Sequence, residues 1–191
     1  MITKAELKTF LGITLDNYDS VIEQIIKGVE SMVEGYCDNV LNEKEITEYF
    51  SSDEILDNDQ EIFLGNRVNV SGLKLYYNAG SESSPTWTEE SRAAYIEFLE
   101  EGRLVLNKVR SISNIGSGGR EYKAVYTAGF KDADVPENLK LACLKISSAI
   151  LNKRKAEGLG SESLEGQSVN FVSAMSEEVK LLLAKYKSFN V

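Results

Sequence analysis

Carboxylates dominate the reactive side chains of this sequence, with 30 Asp and Glu against 21 Lys and Arg and no histidine. Glycoside hydrolysis would need two of them at a set separation, one with a raised pKa. Glu89-Glu90, Glu97 and Glu100-Glu101 are the candidates by density. Nothing in their spacing selects a pair, and since Glu is common on surfaces they read as a solvated face. The run Asp57-Asn58-Asp59-Gln60-Glu61 faintly resembles a calcium loop. Such a loop needs Gly at its sixth position and Glu at its twelfth. Ile62 and Val68 stand there instead, so the run reads as a solvated acidic turn. Gly116-Ser117-Gly118-Gly119 lacks the Gly-Lys-Ser/Thr that a phosphate cradle requires, and reads as a hairpin loop. Trp87 with Tyr76, Tyr77 and Tyr95 could form a sugar-binding platform or simply pack a sheet. The absence of histidine removes the Ser-His-Asp and Cys-His arrangements and the HExxH zinc site. Cys37 and Cys143 lie far apart within apolar helical patterns, as buried reduced thiols would. No catalytic residue, metal ligand or cofactor site is expected.

Charge narrows the partners. The net charge is −9. It is uneven: residues 1–135 carry 13 Lys or Arg against 24 Asp or Glu, and residues 136–191 carry 8 against 6. A protein that tracks DNA phosphates usually presents a basic face. Specific nucleic-acid binding is therefore not expected, and Lys153-Arg154-Lys155 alone would bind only weakly. No apolar run is long enough to cross a bilayer, and the mixed residues 1–11 do not resemble a signal peptide. An unsecreted protein without a membrane partner is the expectation.

The elements that must position these residues come in two kinds. Thr3 and Glu6 have capping-box spacing, with Ile2 and Leu7 placed for a hydrophobic staple, so a short helix should run from Thr3 to about Gly12. A second helix is expected over 17–36, where Val21, Ile22, Ile25, Ile26, Val29 and Val33 recur at helical spacing. From about 45 to 130 the pattern changes to short alternating runs at 62–64, 68–70, 73–77, 95–99, 104–106 and 122–127. Gly- and Asn-rich turns separate them, as in antiparallel hairpins. A third helix should begin at Pro136 and carry the stripe Leu139, Ala142, Cys143, Ile146 and Ile150, with Lys153-Arg154-Lys155 at its end. Residues 156–168, rich in Gly, Ser and Glu, should form a mobile loop. Ser176 then caps a last helix with Val179, Leu182, Leu183 and Tyr186 on one face. The fold class expected is α+β: a helical bundle built from both chain ends, with a small antiparallel β-module inserted. The organisation expected is a helical core from 1–44 and 131–191, a β-rich insertion at 45–130, and the loop at 156–168.

Several segments together resemble the tailed-bacteriophage head–tail connector (head completion adaptor) family. They are Ile2-Thr3-Lys4-Ala5-Glu6-Leu7 through Phe10-Leu11-Gly12-Ile13, the helix ending Met32-Val33-Glu34-Gly35-Tyr36-Cys37, and Val125-Tyr126-Thr127-Ala128-Gly129-Phe130. Val135-Pro136-Glu137 leading into the third helix, and the terminal helix with Leu182-Leu183-Ala184-Lys185-Tyr186, complete the set. The resemblance covers about half of the chain, at its two ends. It implies a structural virion protein and not an enzyme: a ring-forming adaptor, twelve-fold below the portal, leaving a channel for DNA. The partners implied are the portal protein and the next neck or tail protein. The place implied is the virion neck, with the host cytoplasm during assembly. Lys153, Arg154, Lys155, Leu182, Leu183 and Tyr186 are the partner-interface candidates. Another neck or tail-completion protein, or a carbohydrate-binding module built on Trp87, are the alternative readings.

Overall fold

The computed structural model describes residues 1–109, 119–157 and 175–188, the side chains of 154–157 excepted. The chain divides into two compact units: Met1–Asp38 with Lys131–Phe189, and Asn39–Phe130.

The first unit is helical. Helix α1 (Lys4–Leu11) starts on the capping box expected from its sequence. The Glu6 N–H donates to Thr3 Oγ1 at 3.2 Å, and the Thr3 N–H donates to Glu6 Oε2 at 2.7 Å. Gly12 ends the helix in the left-handed conformation that a C-cap favours. Helix α2 (Asp19–Cys37) buries Ile22, Ile26, Val29, Val33 and Cys37 on one face. After the β-rich unit come helices α4 (Glu137–Glu157) and α5 (Glu177–Leu183). Helix α4 packs on α1, α2 and α5 and buries Leu139, Ala142, Cys143 and Ile146. Each helix thus buries the stripe its period marks out, which is what stabilises helices of this length. Residues 156 and 157 complete α4, and the rest of the 156–168 loop lies outside the described residues.

The second unit corrects the expected fold class. It is no small module on a helical bundle: the described residues hold two sheets and seven strands. Strands β1 (Lys44–Phe50), β7 (Tyr122–Ala128), β3 (Ser71–Asn78) and β4 (Trp87–Glu89) form an antiparallel sheet in that order. Strands β2 (Glu61–Phe63), β6 (Arg103–Leu106) and β5 (Tyr95–Phe98) form a second antiparallel sheet. A short helix, α3 (Ser52–Asp57), links β1 to β2 and is capped by Ser51. Residues 68–70, expected as a strand, form a turn in which Asn69 is left-handed, and the Asn69 amide donates to the Gly129 carbonyl at 2.8 Å. The inner faces of both sheets share one core, including Phe50, Ile62, Leu75, Leu104, Tyr122 and Tyr126. Successive side chains of a strand alternate in direction. The outward faces of the two sheets therefore point away from that core on opposite sides. Gly129, just after β7, has φ +88°, and a Cβ there would lie 2.5 Å from the Asn42 carbonyl oxygen, so only glycine fits.

Candidate functional site

Strand β1 shows how the surface features are held. Its inward positions are Ile46, Glu48 and Phe50. Glu48 is a carboxylate on a core-facing row; two hydrogen bonds satisfy it, and a third holds the tyrosine that makes one of them. The Tyr126 hydroxyl donates to its Oε1 at 2.9 Å, the Gly65 N–H donates to its Oε2 at 3.1 Å, and the Tyr126 oxygen accepts from the Asn66 N–H at 3.3 Å. Burial and the adjacent Glu48 charge push the Tyr126 hydroxyl well above the usual tyrosine range. At the start of α3 the Glu121 carboxylate accepts from the Ser52 N–H. A groove of about 550 Å³ runs beside β1, lined in part by Tyr49, Ser51, Glu54, Phe63 and Arg120.

The outward face of the four-stranded sheet carries an aromatic and cationic cluster. Lys123 on β7 lies between Tyr49 on β1 and Tyr76 on β3 in the strand register. Its ammonium sits 4.5 Å from the Tyr76 ring centre and 4.9 Å from that of Trp87. Tyr49 and Trp87 stack at 5.6 Å with their planes tilted by 51°. The Arg120 guanidinium lies 5.0 Å from the Tyr49 ring. Neither Lys123 nor Arg120 has a carboxylate partner among the described residues, whereas Lys4, Lys8, Arg92 and Arg103 are all ion-paired. Cations over ring faces are attracted by the ring quadrupole.

The residues singled out from the sequence fall in different places. Of the proposed sugar platform, Trp87 and Tyr76 join this cluster, while Tyr95 is buried in the core and Tyr77 packs against it. The four rings form no single platform. Glu97 pairs with Arg92 at 2.8 Å, Glu101 with Arg103 at 3.0 Å, and Glu89 with Lys74 at 3.8 Å; none lines the groove beside β1. The Asp57–Glu61 run closes α3 and turns into β2 through Asp59 and Gln60, both with positive φ. Among the described residues no group of three acidic or cysteine side chains could hold a metal ion, and no helix is long and apolar enough to cross a membrane. Cys37 and Cys143 are buried, which raises their thiols to about 11 and about 12.

Among the interface candidates, Lys153 is exposed at the end of α4, and the Arg154 and Lys155 side chains lie outside the described residues. Leu182 is half-buried, while Leu183 and Tyr186 belong to the unit's own core, where the Tyr186 hydroxyl contacts Asn138 Oδ1 at 2.7 Å. Sequence reasoning missed Leu181, the most exposed large apolar residue of the described chain at 77%. Its position off the Val179–Leu183 stripe was the available signal.

A family model described as head completion protein matches residues 1–189. The chain belongs to the head completion protein family. The resemblance read from the two chain ends is thereby borne out, and the match extends through the β-rich unit as well. Solved structures agree in fold. A protein in the neck of an empty gene transfer agent particle, computed with C6 symmetry, is similar at a TM-score of 0.61 and 14% identity, covering 100% of this chain and 91% of that one. A protein in the virion of the native gene transfer agent particle gives 0.62 at 14% identity, with the same coverage. A protein in the neck of the native particle, computed with C12 symmetry, gives 0.57 at 12% identity, covering 98% and 88%. No curated protein matches the chain.

Proposed function

We propose that this head completion protein is a structural neck adaptor, assembling as a ring between a virion's portal and its next neck or tail protein and leaving a channel for DNA. The observation that carries this is the family match over residues 1–189. The necks in which similar folds occur were computed with sixfold and twelvefold symmetry, which favours a ring of copies on a twelve-fold portal. The role is architectural and needs no catalytic residue or cofactor. Assembly takes place in the host cytoplasm.

The C-terminal end of the helical unit is the portal-facing surface in this reading. Lys153, Arg154 and Lys155 supply cations in the less acidic part of the chain, and Leu181 with Leu182 supplies an apolar contact. Leu183 and Tyr186 hold the helix that presents them. An interface anchor of this kind is an apolar side chain ringed by polar ones. The test is attachment of purified chain to portal-bearing, tail-less capsids. The variant Lys153→Glu with Leu181→Asp should keep its helical content and lose attachment. Unchanged attachment of that variant would refute the C-terminal docking surface, and failure of the wild type to attach would refute the adaptor role.

A further inference from the structure

We propose that copies of this chain meet head to tail through the two opposite outward faces of the β-rich unit. The Lys123 face of the four-stranded sheet on one copy meets the Ile96–Phe98 face of the three-stranded sheet on the next. The inference rests on the ring reading above and assigns the surfaces that build the ring.

A closed ring of more than two copies needs a heterologous interface, with two different patches on each copy. Two sheets that share a core supply such a pair, because their outward faces look in opposite directions. The outward row of the three-stranded sheet carries Ile96, 51% exposed and paired with Val105, and Phe98, 37% exposed, which with Phe63 flanks Arg103; the Arg103 guanidinium lies 4.4 Å from the Phe98 ring and is neutralised by Glu61 and Glu101. Contiguous exposed apolar side chains mark interaction sites. The four-stranded face offers Tyr49, 43% exposed, with Tyr76 and Trp87 as an aromatic counterpart.

Charge complementarity sets the direction. Among the described residues Lys123 and Arg120 have no carboxylate partner, and Glu100, two residues beyond Phe98 on the other sheet, is exposed with no cationic partner. Joining unlike faces brings these groups together. Joining like faces would set Lys123 against Lys123 and close the assembly at two copies. The cluster draws on four strands, so it is a rigid platform, and a rigid aromatic surface loses little conformational freedom on docking.

The experiment is disulfide trapping. Val125 and Val105 sit outward and half-buried on the two faces. The chain carrying both Val125→Cys and Val105→Cys is oxidised as concentrated free protein and, separately, after mixing with portal-bearing capsids. Its native thiols are buried and do not compete. A ladder of covalent oligomers from the double variant, with neither single variant cross-linking, is the expected result. In the same double-cysteine chain Lys123→Glu should cut the ladder by about tenfold, and adding Glu100→Lys should restore it. Circular dichroism and gel filtration establish that each variant is folded. The proposal is overturned if the double variant gives no ladder in either setting, or if a single variant cross-links as well as the double one. Attachment to capsids is scored separately, so a failed interface and a failed adaptor role are distinguishable.

Discussion

Removing one oxygen atom should measure how firmly β1, the strand that carries Tyr49, is held. The perturbation is Tyr126→Phe. The Tyr126 ring is buried, and its hydroxyl joins the Glu48 carboxylate at 2.9 Å to the Asn66 N–H at 3.3 Å. A hydrogen bond to a charged group contributes about 1.5–3 kcal/mol, and the freed Asn66 N–H adds a smaller cost because that residue is only half-buried. Glu48 keeps the Gly65 N–H at 3.1 Å and some access to water, which lowers the total. The expected loss is about 2 kcal/mol. Urea unfolding followed by tyrosine and tryptophan fluorescence measures it, and Glu48→Gln, which retains an acceptor, should cost about half as much. The double variant should show coupling, since both changes act on one contact. A Tyr126→Phe chain within about 0.5 kcal/mol of wild type would refute the view that this contact secures the edge strand.

Ile146→Ala, in the middle of α4 with its side chain fully buried, should lower the stability of the helical unit by about 2–5 kcal/mol in urea titrations read by circular dichroism. Gly129→Ala should cost about 1–3 kcal/mol and broaden amide signals of residues 41–43 in NMR spectra, because the added Cβ meets the Asn42 carbonyl at a φ that alanine resists. Acid should weaken the helical unit. Hydrogen bonds from Lys4, then Lys8, hold Asp19 below its ordinary 3.8, and those from the Thr3 backbone and hydroxyl hold Glu6 below its ordinary 4.5. A carboxyl depressed in the fold contributes stability that is complete above its unfolded value and vanishes as pH falls through its folded one. Urea midpoints should therefore fall from about pH 4.5 downwards, and less steeply in Asp19→Asn; flat midpoints across that window would contradict the assignment.

The helices were legible because each carries its own signal. Thr3 and Glu6 satisfy each other locally, and the α2 and α4 stripes repeat at 3.6 residues regardless of what they pack on. Strands β3, β5, β6 and β7 were visible as alternation. Strand β1 was not, since Lys44-Glu45-Ile46-Thr47-Glu48-Tyr49-Phe50 puts a carboxylate on the inward row, and only Tyr126 and Gly65, distant in sequence, make that acceptable. Missing β1 and the three-residue β4 made the β-rich unit look small. Residues 68–70 read as apolar strand but serve a turn that Asn69 ties to Gly129. The surface cluster was half legible. Trp87 and Tyr76 stood out by type, but Tyr49 and Lys123 reach them only through strand pairing that no local pattern encodes. The apolar stripe of α5 reads as a docking face, yet Leu183 and Tyr186 turn inward and leave Leu181 on the surface.

Cryo-electron microscopy of portal-bearing, tail-less capsids mixed with the purified chain tests the adaptor role most directly. The account predicts a ring of density at the portal vertex, absent without the chain, into which both the helical and β-rich units fit and through which a central channel passes. Particles whose portal vertex is unchanged, with the chain left in solution or scattered over the shell, would contradict it.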